Sequence, residues 1–275
     1  MIIVDVGANK GDLALDICPK KSDIIFYGIE PNYILFEKPL KALEKAFQGV
    51  FNYVPFALAD FSGTSKLYAS QHMAGQIGSL LKINESNSWP SDISSSFSDK
   101  KISESIDVNV IKVSEFLHDY RIVGIDFLKI DAQGMDLLIL SEFLMHADVK
   151  VVAVEVEIMP FGLNSHYKNS RNSFLDLLEL MQRFKYEIIR IMPANSDCNE
   201  YNVFLAKSYD DYRNVDLILE FKNLAIFSRF WKVLGVGNDS QVDVGKLQSQ
   251  LVRKFISSFF HPISSYKSLL IKLTS

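Results

Sequence analysis

The apolar run Ile2–Val6 ends in Gly7-Ala8-Asn9-Lys10-Gly11, and no other feature restricts the fold of this chain as much. A strand that closes on a glycine-bearing turn and then opens a helix gathers backbone N–H groups at one spot, with no Cβ to hold a ligand away. The spacing is Gly7-x-x-x-Gly11, with Asp5 two residues before the first glycine. A dinucleotide fingerprint would read G-x-G-x-x-G around a pyrophosphate, so a dehydrogenase on the same fold is disfavoured. The observed spacing suits a ligand without a pyrophosphate that carries an amino-acid moiety. Asp5 can orient the loop or meet that ligand's ammonium group, directly or through water.

The segments that follow alternate between strand-like and helix-like runs. A helix over Leu13–Cys18 is stopped by Pro19. Ile24–Ile29 reads as a second strand. A helix capped by Asn32 runs to about Phe47, with Ile34, Leu35, Leu40 and Leu43 near helical spacing, and Phe51–Leu58 reads as a third strand. Short links between such elements predict right-handed βαβ units and a parallel sheet. Residues 62–105 break the pattern with a Ser62-Gly63 turn, a short Lys66–Ala69 strand and a serine-rich loop over Ser86–Ser98. Alternation resumes with strands at Ile106–Ile111, Asp126–Ile130 and Val149–Val156 and helices at 114–120, 135–145 and Phe174–Phe184. Tyr186–Met192 and Tyr201–Ala206 close the sheet as an antiparallel pair. The predicted fold is α/β, with domain 1–208 followed by a helical extension over 209–275.

Composition excludes several classes. Twenty Phe and eleven Tyr in a chain that is 48% apolar supply a sizeable core rather than a disordered segment. A net charge of −4 argues against general affinity for nucleic acid. Two cysteines, Cys18 and Cys198, fit reduced thiols in the cytoplasm better than a disulfide framework. The N-terminus shows neither a basic leader region nor a cleavage site, and no apolar run reaches the ~20 residues of a membrane span.

Two acids extend the glycine-loop reading. Glu30 closes the second strand, kept extended by Pro31, where a carboxylate can accept both hydroxyls of a ribose. Asp131 lies at the carboxyl end of the strand expected beside the glycine loop, where ligands of open parallel sheets bind. It can face a reacting centre, cap the helix expected to begin near Gly134, or do both.

At these positions the chain resembles the FkbM family of methyltransferases. The resemblance spans roughly residues 2–206. It rests on Asp-Val-Gly-Ala-Asn-Lys-Gly-Asp at 5–12, Ile-Glu-Pro-Asn at 29–32 and Ala-Leu-Ala-Asp-Phe-Ser-Gly at 57–63. It continues through Val-Asn-Val-Ile-Lys-Val-Ser-Glu-Phe-Leu at 108–117, Leu-Lys-Ile-Asp-Ala-Gln-Gly at 128–134 and Val-Glu-Val-Glu at 154–157. It implies a Rossmann-like class I methyltransferase sandwich that uses S-adenosylmethionine and methylates a hydroxyl, often on a sugar or a polyketide. Asp5, Gly7, Asn9, Gly11, Glu30, Pro31, Asn32, Ala57 and Leu58 become the expected cofactor-binding residues. The family motif usually reads Lys-Ile-Asp-Val-Glu-Gly, and here Gln133 stands at the Glu position.

A hydroxyl acceptor needs a base. Asp131 and Glu155 are the expected catalytic residues, with Glu157, His72 and His166 as further candidates. Gln133 cannot act as a base or a strong metal ligand, which argues against a divalent ion shared by Asp131 and Glu155; no metal is expected. Gln133→Glu should leave turnover similar or higher, and if the family's Glu only orients its loop, Gln133 suffices in its place. If that Glu performs chemistry, the chain becomes a cofactor-binding module without turnover. The extension 209–275 holds nine basic residues against six acidic ones in an otherwise acidic chain. Its apolar runs at 224–234 and 255–271 call for a covering surface: the catalytic domain, a second subunit, or a membrane interface with Trp231 at headgroup depth.

Overall fold

A computed structural model describes residues 1–17, 23–69, 78–82, 104–157, 167–193 and 200–221. Contacts divide the chain into one unit of Met1–Leu234 and another of Gly235–Ser275, and every described residue belongs to the first. The readings placed on His72, His166, the serine-rich loop and the apolar runs beyond 221 lie outside the described residues.

Eleven strands and six helices are assigned among the described residues. In chain order they are β1 (Ile2–Val6), α1 (Asp12–Ile17), β2 (Ile25–Ile29), α2 (Tyr33–Ala46), β3 (Val50–Val54), β4 (Ala57–Ala59), β5 (Gly63–Ala69) and β6 (Gly78–Ser79). There follow β7 (Glu104–Lys112), α3 (Val113–Asp119), β8 (Gly124–Ile130), α4 (Asp136–His146), β9 (Asp148–Glu157), α5 (Phe174–Phe184), β10 (Glu187–Pro193), β11 (Glu200–Ala206) and α6 (Tyr209–Leu219). The main sheet has the order β10-β11-β9-β8-β1-β2-β3. Strands β3, β2, β1, β8 and β9 are parallel, and β11 runs antiparallel between β9 and β10. This is the expected mostly parallel sheet with its antiparallel closing strand.

Helices cover both faces, which is why the central strands are nearly continuous apolar runs. One core packs Val4, Ile29, Leu128 and Val152 with Phe116, Leu140 and Phe143 of α3 and α4. The other packs Ile3, Phe26, Phe127 and Val151 with residues of α1, α2 and α6. Tyr212, Val215 and Leu219 of α6, and Phe221 just beyond it, are buried there, and Phe221 lies 4.8 Å from Phe127 between ring centroids. The first helix of the expected extension therefore packs on the sheet. No helix among the described residues is long and apolar enough to cross a membrane.

Two sequence expectations change. Phe51–Leu58 is not one strand: Pro55, which has no N–H for a ladder, separates β3 in the main sheet from β4 in a second one. That second sheet, β4-β7-β5-β6, joins the end of this run to the strands expected at Lys66–Ala69 and Ile106–Ile111, both longer than predicted, and adds the unexpected β6. Asn32 does sit at the N-cap of α2, but its side chain makes no capping bond. Its backbone N–H donates to Glu30 instead.

Candidate active site

Strand order reverses between β1 and β8, so the connections after these two strands diverge and leave a cleft at their carboxyl ends. Val6 O accepts from Asp131 N at 3.0 Å, while Gly7 N and Ala8 N both donate to Ile29 O at 3.0 Å. The turn is thereby fastened to β2 on one side and β8 on the other. Gly7 has φ +78°, and a Cβ there would stand 2.0 Å from the Asp131 carbonyl oxygen. Only glycine permits that contact.

Glu30 joins two walls of the cleft. Its Oε2 accepts from Asn9 N at 3.0 Å and its Oε1 from Asn32 N at 2.8 Å. Burial pushes its pKa up to about 7, against the pull of those two N–H groups. Each carboxylate oxygen has two lone-pair sites, so both can still accept a ligand hydroxyl. Asp5, Asn9, Pro31 and Asn32 line the same end of the cleft. Gly11 does not line it; it lies against Leu43 of α2.

Asp5 carries a partner that the sequence reading missed. Lys129, its direct neighbour in the β1–β8 register, places Nζ 3.0 Å from Asp5 Oδ1, 3.5 Å from Gly7 O and 3.8 Å from Asp131 Oδ2. The Lys129 and Asp5 side chains are only 6% and 2% exposed. Burial alone would pull Lys129 down, but Asp5 and Asp131 together hold it above the ordinary lysine value. Burial raises Asp5, and Lys129 opposes that rise. The available signal was the Lys in the apolar second half of β8, Phe127–Ile130.

Asp131 lines the cleft with its side chain 34% exposed. Gln133 Nε2 donates to Asp131 Oδ1 at 2.8 Å, and Tyr167 Oη donates to Gln133 Oε1. The capping alternative for Asp131 is not what the structure shows, because a turn with left-handed Gln133 (φ +53°) and Gly134 (φ +94°) separates it from α4. Asp136 organises that turn, accepting from Ala132 N at 2.6 Å, Gly134 N at 2.8 Å and Asn172 Nδ2 at 2.9 Å. Burial, then the Asp131 charge, pushes Asp136 up to about 7. Glu155 does not line the cleft. Burial raises its carboxyl well above the usual range, followed by Asp131, Glu200 and Asp136, so it favours the protonated form.

Apolar side chains line the rest of the cleft, among them Ala57 and Leu58 of β4, Leu67, Leu80, Met135 and Ile139. An acid with free lone pairs, an apolar lining and a Cβ-free turn in one cleft fit a nucleoside that bears an amino-acid group. Glu30 and Asn32 would hold the sugar, Ala57 and Leu58 the base, and the Asp5–Gly7 turn the amino-acid end.

Removing Lys129 tests how this site is held together. Lys129→Ala leaves Asp5 buried and unpaired, a loss of about 3–5 kcal/mol when one partner of a buried pair is deleted. The acids left behind protonate more readily in the folded state than in the unfolded chain, so stability falls as pH rises through their folded values. The deficit should therefore be smaller at pH 5 than at pH 8 in urea unfolding. A deficit below about 1 kcal/mol at pH 8, the size of an exposed pair, would show that the pair does not hold the site.

Residues 5–188 match the methyltransferase FkbM domain. No curated protein matches the chain. Among solved structures, one similar chain is an O-methyltransferase (NcsB1) from neocarzinostatin biosynthesis, in complex with S-adenosylmethionine and 2-hydroxy-5-methyl naphthoic acid. It is 12% identical with a TM-score of 0.36, over 74% of this chain and 48% of that one. Another is the pyocyanin biosynthetic protein PhzM, 11% identical with a TM-score of 0.35, over 75% of this chain and 50% of that one. The chain thus spans about half the length of the solved structures it matches.

Proposed function

The chain belongs to the FkbM methyltransferase family, with S-adenosylmethionine as methyl donor, and we propose that it methylates a hydroxyl of a sugar, glycan or other small natural product with Asp131 as the base. The observation that carries this reading is the Asp131 carboxylate in the cleft wall at the point where strand order reverses, with one oxygen held by Gln133 and the other 3.8 Å from Lys129.

When bound, S-adenosylmethionine would supply an electrophilic methyl to the acceptor oxygen, with the sulfur retaining the bonding electron pair. The protein's work is placement and proton handling. Glu30, Asn9 and Asn32 hold the donor's sugar, and Asp5 with the Gly7 turn holds its amino-acid end. Asp131 accepts the hydroxyl proton and becomes neutral, and Lys129 offsets the negative charge of Asp5 beside it. Glu155 lies outside the cleft lining, and burial raises its carboxyl, so it is not assigned as a second base.

Incubation with donor labelled in its methyl group and an extract of glycans, lipids and small metabolites from the source organism tests the proposal. The expected product carries the label as a base-stable methyl ether. Label on nitrogen or carbon would overturn the hydroxyl assignment. A cytoplasmic setting, and membrane contact or self-association through 209–275, are further proposals supported by the two unpaired-type cysteines and the basic balance of that segment. Flotation with anionic vesicles and the molar mass of the full chain would decide them, and a monomer that stays off vesicles would remove both contacts.

A further inference from the structure

Gln133 adopts a backbone conformation that residues with a side chain seldom take, φ +53°, followed by Gly134 at φ +94°. Such strain persists only where the surroundings enforce it. Here a second segment does so. Tyr167 is 2% exposed, and its ring lies so close over Gly134 that a Cβ there would meet Tyr167 Cδ2 at 2.6 Å. Ser170 Oγ donates to Gly134 O at 2.9 Å, and Ser79 Oγ donates to Gln133 O at 2.6 Å. The turn is therefore clamped from both sides, and its side chain is aimed back at Asp131.

The hydrogen-bond directions are mutually determined. An ionised carboxylate only accepts, so the amide must present Nε2 to Asp131, as it does at 2.8 Å. That leaves Oε1 for Tyr167, whose hydroxyl donates to it. We propose that Gln133 and Tyr167 are positioning residues, which act as a relay that holds an amide donor against the Asp131 carboxyl in the cleft wall. The proposal rests on the reading of Asp131 as the base and adds what keeps it one.

The charged surroundings explain why an uncharged side chain fits here. Asp131 is faced by Lys129 of its own strand, Asp5 of β1, Asp136 of α4 and Glu155 of β9, with Glu200 of β11 behind Glu155. One cation, already bonded to Asp5, stands among these acids. A glutamate at 133 would set a further carboxyl against Asp131, and two carboxyls at that distance hold a shared proton. On this proposal Gln133→Glu serves less well than Gln133, against the expectation from the sequence.

The test reads Asp131 in the full chain without donor, by carbon-13 NMR of labelled aspartate carboxyls, with the resonance assigned by its loss in Asp131→Asn. In Gln133→Glu the Asp131 titration midpoint should rise by about one pH unit or more, as for paired carboxyls. In Tyr167→Phe the amide is free to turn its oxygen towards Asp131, and the midpoint should rise by roughly half a unit through loss of a hydrogen bond to the charged form. A role limited to packing would lower the melting temperature of both variants and leave both midpoints in place. Midpoints within about 0.2 unit of the wild-type value, well below the effect of one such bond, would overturn the proposal. If Gln133→Glu does not fold, Tyr167→Phe decides alone; a shift in Gln133→Glu with Tyr167→Phe unmoved removes Tyr167 from the relay. Because no turnover is involved, shifted midpoints alongside an active Asp131→Asn would sink the base and leave the relay standing.

Discussion

Glu30→Ala is expected to abolish measurable binding of S-adenosylhomocysteine while the chain remains folded. A bidentate carboxylate contact to two ribose hydroxyls contributes about 1.5–3 kcal/mol, the range for hydrogen bonds to a charged group. The structure adds a second loss. Asn9 N and Asn32 N both donate to this carboxylate, and a buried N–H left without a partner costs about 1–3 kcal/mol. The turns after β1 and β2 would then have to be reordered by the ligand, so the affinity loss should exceed about a hundredfold, which is 2.7 kcal/mol at 1.36 per decade. Glu30→Gln separates charge from shape. Glu30 is pushed up to about 7 in the folded chain from 4.5 in the unfolded one. Its stabilising share is complete below pH 4.5 and is lost as pH rises through 7. Asp136, pushed up to about 7 as well, contributes in the same direction, so Glu30→Gln should flatten but not remove the decline in urea midpoint between pH 5 and pH 8. Calorimetry showing wild-type affinity in Glu30→Ala would remove Glu30 from the cofactor site.

What could be read from the sequence is what local periodicity and turn chemistry encode. Ile2–Val6 and Phe174–Phe184 have the bounds their patterns predict, because a buried strand before a glycine turn and an amphipathic helix capped by Ser173 are each specified within a few residues. Glu30 and Asp131 were legible for a related reason: strand ends in a parallel sheet fall where ligands bind. Long-range geometry was not legible. The split of Phe51–Leu58 depends on β4 finding β7, whose partners lie about fifty residues on. Asp5 and Lys129 pair across 124 residues, and a Lys within an apolar strand run signals a buried acid without saying which one. Tyr167 reaches Gln133 from a stretch with neither strand nor helix period. Gln133 itself read as a lost acid, since a sequence records which group is present and not which neighbours it must satisfy.

Asp131→Asn is expected to lower turnover on the true acceptor by about 10²–10⁴, the usual contribution of a positioned general base, or roughly 3–5 kcal/mol of barrier at 1.36 kcal/mol per decade. The substitution keeps the size of the side chain, and the Asn oxygen can still accept from Gln133 Nε2, so the turn held by Asp136, Tyr167 and Ser79 should persist. Lys129 keeps its closer partner, Asp5, at 3.0 Å and loses only the contact at 3.8 Å. The donor's proposed contacts lie at Glu30, Asn32 and the Gly7 turn, so affinity for S-adenosylhomocysteine should stay within about threefold, less than the weight of one neutral hydrogen bond. The two effects therefore separate: turnover falls while donor binding holds. Steady-state kinetics with the acceptor found in the labelled-methyl screen, set beside calorimetry, measure both. A parallel fall in turnover and affinity would make Asp131 a binding residue. Full turnover in Asp131→Asn would end its role as base.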